Sequence, residues 1–442
     1  MEDSTTIKQS PPSNEEPIEN EDEIIRIVNQ GTYGCILRPG FKCDNKTIDS
    51  KKYITKIQLN NAVLENEINI SEKIKTIPLS NLYFSPIISS CNVNIGEIEN
   101  ESIKECSIIA HPENLTSQPP PHEYISNKIR YVGDKTLGTY LPFVYESRPD
   151  MFLTIFIETQ LQLLDGYRKL RDVGIIHFDI KENNIIMDEI NSQPVIIDFG
   201  MSFYPSQMTK DNFTDVILTY DEYPPWCVDI FMLSHIAGLS SQSWKDMEVN
   251  KEEIRAICEK FVRHPTNIFM KISSETRRIE FQAKLNKYFM KFVGQTWETV
   301  YDDLVKYMPT WDNYSVAMMY LMMAIDLKLN NYITKYKFIK QYIDELKHVI
   351  YSTPEERPSI EIHIQNIRNI FTQISEKELE SFMRNIQLRF QNPEYIEEVD
   401  ENIQSRIALE DEDDQTIFIN KQSRTNNLSP NNPPPLSQIV NP

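Results

Sequence analysis

An α+β fold in two lobes is what this sequence predicts, a small antiparallel β-rich lobe with one helix followed by a larger helical lobe that carries an inserted helical block. Three observations support it. Short apolar runs broken by turn residues come first along the chain, helical periodicity takes over from about Phe152, and polar acidic stretches frame both. The framing stretches carry most of the charge. Residues 1–23 hold eight acids against Lys8 and residues 394–414 hold ten against Arg406, which places about −16 of the net −20 at the two ends. Residues 1–23 and 396–442 have too little apolar content to order themselves and read as disordered tails, the second also rich in Pro and Asn. The body between them is near neutral, so no basic stripe for nucleic acid is expected.

The strands and helices follow in order. "IIRIV" (Ile24 to Val28), "CIL" (Cys35 to Leu37) and "YITKIQ" (Tyr53 to Gln58) are short apolar or alternating runs that predict antiparallel strands. Asn60 to Ile77 then places Val63, Ile70, Ile74 and Ile77 near helical spacing, and Pro78 stops it. A polar, proline-rich stretch over about 92–127 reads as an exposed insertion, after which "KIRYV" (Lys128 to Val132) closes a small lobe at 24–132. Long helical periods dominate to about residue 390, giving a larger lobe over 133–395. The apolar run Ser315 to Ile325 is about half of what a bilayer needs, so it predicts a buried helix and no membrane span. Six cysteines show no C-x-x-C pair and no signal segment precedes the fold, which predicts reduced thiols in a cytosol-like compartment.

The residues that carry chemistry cluster in two places. "NQGTYGCI" (Asn29 to Ile36) sits between the first two strands, with Gly31 and Gly34 where a tight turn lays backbone N–H groups over an anion. The turn alone is weak evidence, since short G-x-x-G turns are usually plain hairpins. Lys56 on the third strand and Glu67 on the following helix can form an ion pair that steadies the ammonium against phosphate oxygens, although an isolated Lys or Glu is nearly always a solvated charge. "HFDIKENN" (His177 to Asn184) is far more specific. Asp179 is placed to accept a proton from a substrate hydroxyl, Lys181 to neutralise charge on a phosphoryl group in flight, and Asn184 to hold a metal together with Asp198 of "DFG". Mg²⁺ takes oxygen ligands, few of them from protein, which one Asn and one Asp supply.

With these residues in view, the sequence resembles the eukaryotic-type protein kinase superfamily over roughly residues 24–390, its serine/threonine branch in particular. The bias toward Ile and Asn and the long insertions resemble the divergent protein kinases of large DNA viruses. The resemblance implies ATP and Mg²⁺ as cofactors and protein hydroxyls as substrate. It implies that Lys56 and Glu67 form the activating pair, that Asp179 is the catalytic base assisted by Lys181, and that Asn184 and Asp198 bind Mg²⁺. It also places Gly31, Gly34, Ile36, Ile129, Tyr131, Val132 and Ile186 around the nucleotide, with Ile129 as gatekeeper and Arg130 to Val132 as the hinge. Thr219 falls in a substrate-facing loop, Asp312 in a helix that braces the catalytic loop, and Arg357 in a late Arg-Pro motif. A cytoplasmic site of action follows, in the host or the virion if the chain is viral.

Departures from the family pattern sharpen the expectations. Asn29 replaces the first loop glycine, and Ile54 stands where a small residue normally touches adenine. Phe178 replaces the Arg before Asp179, so loop phosphorylation is not expected to be the switch. Trp226 takes the place of the Glu that would pair with Arg357, leaving Glu222 as a substitute, and Ser71 occupies a position where an apolar residue is expected. About 85 residues separate Pro225 from Asp312, so a helical block over about 226–309 is inserted, with Asp229 as an alternative bracing acid. His235, His264, His348 and His363 lack metal-ligand spacing. Two rival readings remain: a pseudokinase scaffold that docks partners through its insertions or acidic tails, and a small-molecule kinase.

Overall fold

The computed structural model describes residues 25–31, 34–40, 48–93, 103, 105–110, 124–217, 225–239, 243–264 and 268–389. Both acidic tails, Thr219 and Glu222 lie outside these residues. The architecture is α+β, with an antiparallel sheet in the N-terminal part and helices through most of the remainder. Strands β1 (Arg26–Gly31), β2 (Gly34–Arg38), β3 (Tyr53–Leu59), β4 (Ile87–Val93) and β5 (Tyr124–Arg130) form one sheet in the order β1-β2-β3-β5-β4. Register puts Ile36 opposite Lys56 and Ile54 opposite Ile129, so these four side chains share one face of the sheet. Gly31 pairs with Gly34 across the first turn. A Cβ on Gly34 would lie 2.1 Å from the Ile57 carbonyl oxygen, which explains glycine there: β2 approaches β3 too closely for a side chain.

Helix α1 (Ala62–Lys75) packs against β4. Asn61 caps it by accepting from the Val63 and Leu64 N–H groups, a contact typically worth about 1 kcal/mol. Its buried residues Leu64, Glu67, Ile70, Ser71 and Ile74 recur at helical spacing, so Glu67 is carried inward with the apolar stripe. Ser71 is useful there because its hydroxyl accepts from the Ile87 N–H at 3.1 Å and fastens α1 to β4.

Two expectations about this part of the chain are corrected. The stretch 92–127 is not simply an exposed insertion. Tyr124 to Asn127 belong to β5, and Ile103, Cys106 and Ile108, the last in the short helix α3 (Ser107–Ala110), are buried with Cys35, Leu37, Ile57, Val93 and Tyr124. Cys35 and Ile57 oppose each other on the sheet face turned away from Lys56, so this segment provides the far side of the sheet with a small core of its own. The cysteines are not all reduced. Cys35 is joined to Cys106 and Cys91 is also disulfide-bonded, whereas Cys227 and Cys258 are free and buried. Cysteine spacing was silent on this, because residues 71 apart in sequence meet only after the segment folds back over the sheet.

After the one-turn helix α2 (Ser80–Tyr83), which precedes β4, and the connection past β5, the helical part begins with α4 (Leu137–Ser147) and α5 (Pro149–Asp172). A two-stranded hairpin, β6 (Ile185–Asp188) with β7 (Gln193–Ile196), follows directly on the His177–Asn184 loop. The inserted block contains α6 (Val228–Gly238), α7 (Lys251–Arg263), α8 (Ile268–Ile272), α9 (Glu275–Phe289) and α10 (Trp297–Leu304). Helix α11 (Trp311–Asp326) is buried on every side from Trp311 to Ala324, which is why its sequence is apolar all round from Val316 to Ala324, while Asp312, Asn313 and Ser315 in its first turns are hydrogen-bonded. It is surrounded by α5 and by α12 (Lys337–Ile350), with α13 (Ile360–Phe371) and α14 (Glu376–Arg389) completing the packing. No helix among the described residues is long and apolar enough to cross a membrane.

Candidate active site

The site lies where the sheet meets the helical part. Lys56 projects from β3, and its Nζ donates to Glu67 Oε1 at 3.2 Å and to Asp198 Oδ1 at 3.1 Å. Gln58, two residues along the same face, donates to Glu67 Oε2 at 2.9 Å, so the inward-facing carboxylate is held from both sides. Burial alone would lower the Lys56 pKa, but Asp198 and Glu67 overcome it and hold the ammonium above its ordinary value. For Glu67, burial dominates and, with the nearby Asp198, pushes the carboxyl up against the pull of Lys56. For Asp198, burial also pushes up, yet Lys56, Lys181 and His177 prevail and bring it below the usual carboxylate range. Asp198 keeps 28% of its side chain exposed, against 8% for Lys56, so the shared cation is sealed while one carboxylate stays open.

The His177–Asn184 loop forms the floor. Asn184 Nδ2 donates to the Asp179 carbonyl at 2.9 Å and to Asp179 Oδ2 at 2.8 Å, which fixes the carboxylate and occupies the amide nitrogen. Lys181 Nζ lies 3.7 Å from Asp179 Oδ2. The loop is tied to the "DFG" strand end by the Ile197 N–H on the Asn184 carbonyl at 3.0 Å and by His177 Nε2 against the Ile197 carbonyl at 3.1 Å. Asp198 itself has φ 58, and Phe199 turns inward between Phe84 and the His177 ring. From behind, Asp312 at the start of α11 accepts from the His177 N–H at 2.9 Å and the Phe178 N–H at 3.2 Å.

Asp229, weighed as an alternative brace for this loop, has a different task. It receives Arg357 through two contacts, at 2.7 and 3.1 Å, and the Trp311 indole at 3.1 Å. Asp229 thus pairs with Arg357 in the role anticipated for Glu222, which lies outside the described residues. Sequence order hid this, because 128 residues separate the partners. An acid at the first turn of an otherwise apolar helix, in "WCVDIFML", was the available signal.

The residues that the family resemblance places around a nucleotide lie as follows. Ile36, Ile54, Lys56 and Ile129 share the sheet face described above, and Ile186 lies on β6. In the connection after β5, the Arg130 carbonyl accepts from Ser85 Oγ at 2.9 Å and the Tyr131 N–H donates to the Lys52 carbonyl at 2.9 Å. Val132 makes no such bond among the described residues. Gly133 follows because a Cβ there would lie 2.7 Å from the Met187 carbonyl oxygen. Asn184 and Asp198 each keep an oxygen that makes no hydrogen bond among the described residues, and one amide and one carboxylate oxygen are donor types that a hard divalent cation accepts beside phosphate and water. Among the described residues no cluster of three or more His, Cys, Asp or Glu side chains is arranged to hold a metal.

No protein-family profile matches the chain. Two curated relatives do. Over 83 residues, 16% of this chain and 16% of the relative, it is 39% identical to serine/threonine-protein kinase ppk8 of Schizosaccharomyces pombe. Over 211 residues, 47% of this chain and 29% of the relative, it is 25% identical to cyclin-dependent kinase G1 of Arabidopsis thaliana. The chain therefore spans well under half the length of either relative. Taken with the α+β architecture, these weak similarities to serine/threonine protein kinases support a place for the chain in the protein kinase superfamily.

Proposed function

We propose that the protein is a serine/threonine protein kinase that transfers the γ-phosphoryl group of ATP to a protein hydroxyl. The observation that carries this reading is the double engagement of Lys56 by Glu67 and Asp198 directly over the loop that holds Asp179, Lys181 and Asn184. Phosphoryl transfer asks for positioning and charge stabilisation more than for covalent help. Lys56 grips phosphate oxygens and is kept cationic by its two carboxylates. Asp179, oriented by Asn184, receives the proton of the attacking hydroxyl. Lys181, beside Asp179, offsets the negative charge that gathers between nucleophile and leaving group. Asp198 and Asn184 would hold Mg²⁺, which when bound neutralises charge on the phosphate chain. Ile36, Ile129 and Ile186 sandwich the adenine, Val132 meets its edge, and the Gly31–Gly34 turn covers the phosphates.

In the same reading the inserted block, continuous with the segment that faces substrate, docks the protein substrate or a partner, and the acidic tails extend that surface. The Ile- and Asn-rich composition fits a kinase of a large DNA virus. The test is phosphate incorporation from γ-labelled ATP into a generic basic protein with Mg²⁺, beside Asp179→Asn. Incorporation that falls at least about 10²-fold in the variant supports the assignment. Nucleotide binding without incorporation by either protein points to a scaffold, and turnover of small alcohols alone points to a small-molecule kinase.

A further inference from the structure

Phe178 directly precedes Asp179 and has φ 72, a left-handed conformation uncommon for a bulky residue. Such a conformation persists only when its surroundings over-determine it. Here they do. The Phe178 N–H donates to Asp312 at 3.2 Å, and its carbonyl accepts from the Trp226 indole N–H at 3.2 Å. Its ring stacks on Trp226 at 4.8 Å and 28°, meets Phe203 edge-on at 5.5 Å, and lies 6.1 Å from Trp311. All four rings are buried, so this is a closed aromatic knot.

The knot joins three stretches of chain. Phe203 lies just beyond the "DFG" turn and exchanges two backbone hydrogen bonds with Ile176, at 3.0 and 3.1 Å. Trp226 lies at the far end of the same segment, where the Pro225 carbonyl accepts from Ser315 on α11 at 2.8 Å. Both ends of 201–226 therefore meet on the residue that carries Asp179. Between them, Lys210 is tied to Glu298 and Asp302 of α10, at 2.8 Å each, which anchors the segment to the inserted block.

We propose that Phe178 and Trp226 are positioning residues, an aromatic clamp that sets the Asp179 carboxylate and couples it to the segment facing the protein substrate. This deepens the kinase reading and rests on it. The clamp acts on the protein-substrate side and leaves nucleotide binding to the Lys56 face. Losing Trp226 frees Phe178 to relax out of φ > 0 and takes Asp179 with it.

The test uses the full chain with Trp226→Leu, which loses stack and donor, and Trp226→Phe, which keeps the stack alone. Expected are a kcat loss of about 10- to 100-fold for Trp226→Leu, ATP affinity within about twofold of wild type, and partial recovery in Trp226→Phe. Amide hydrogen exchange at 176–180 is expected to lose protection in Trp226→Leu while α11 keeps its own. A Trp226→Leu protein that melts lower but keeps wild-type kcat and protected amides at 176–180 overturns the clamp. A wild-type protein with no turnover refutes the kinase reading instead, and the exchange measurement then decides the clamp by itself.

Discussion

Two buried ionic clusters in this molecule are built to opposite plans. Arg357 and Asp229 form a one-to-one, doubly bonded pair with both side chains at 0% exposure, and Thr310 and the Trp311 indole take up further bonding capacity. Lys56 is instead one cation between two carboxylates, with Asp198 left partly open. The first cluster is neutral and closed, so nothing further is called for. The second keeps a carboxylate at an opening, where the proposed kinase reading brings phosphates and a divalent cation. Exposure therefore distinguishes the two clusters where burial of the cation does not, since Arg357 and Lys56 both sit in the interior.

The sharpest way to break that contrast is to remove one partner from each cluster. Arg357→Met leaves Asp229 buried with only the indole for company, and a loss of about 3–5 kcal/mol in unfolding free energy is expected. Denaturant unfolding measures it. Adding Asp229→Leu to that variant is expected to recover much of the loss, because no charge then remains uncompensated. A double variant as unstable as the single one would show that the pair does more than neutralise itself.

Lys56→Met is expected to reverse the balance of effects. Phosphoryl transfer should fall about 10²- to 10³-fold, as for loss of a preorganised electrostatic contact. Stability should fall by less than half of the Arg357→Met loss, because Gln58 still donates to Glu67 and burial already biases that carboxyl toward its neutral, protonated form. Steady-state kinetics beside a melting curve checks both halves. A Lys56→Met protein as unstable as Arg357→Met would erase the distinction between the two clusters.

The two clusters were unequally legible in the sequence. Lys56 and Glu67 are 11 residues apart on a strand and the helix that follows it, so local pattern brings them together. His177 to Asn184 is a single loop, and its polar residues stand out against apolar flanks. Asp312 was preferred over Asp229 as the brace from its Asp-x-aromatic-Ser setting, and its contacts with the His177 and Phe178 N–H groups agree. The Arg357–Asp229 pair, the Cys35–Cys106 bond and the Phe178–Trp226 stack were not legible. Each joins residues between 48 and 128 positions apart, through packing that follows no sequence period. The inserted block was visible as surplus length, but its attachment through Asp229 and Lys210 was not.

Acid separates the two regions once more, with the smallest effect. In the open cluster the signs oppose each other. The raised Glu67 pKa contributes stability that is lost as pH rises through its folded value, and the lowered Asp198 pKa contributes stability that is lost as pH falls through its own. In the closed region His363 has a pH dependence of its own. It lies near Arg357 on α13, its Nδ1 lies 2.6 Å from Asn313 Oδ1, and Asn313 in turn donates to the Pro358 carbonyl at 3.0 Å. Burial, with a smaller push from His348, lowers its pKa from 6.5 to about 3. As pH falls below 6.5 the unfolded chain binds a proton that the folded chain refuses, so stability present at neutral pH drains away toward pH 3. The slope from this one group approaches about 1.4 kcal/mol per pH unit. Unfolding curves between pH 7 and 4.5 for wild type and His363→Gln, whose amide can still donate to Asn313, isolate that slope. A variant with the same pH dependence as wild type would place the acid sensitivity in other groups, the carboxylates with lowered pKa such as Asp198 and Glu361 among them.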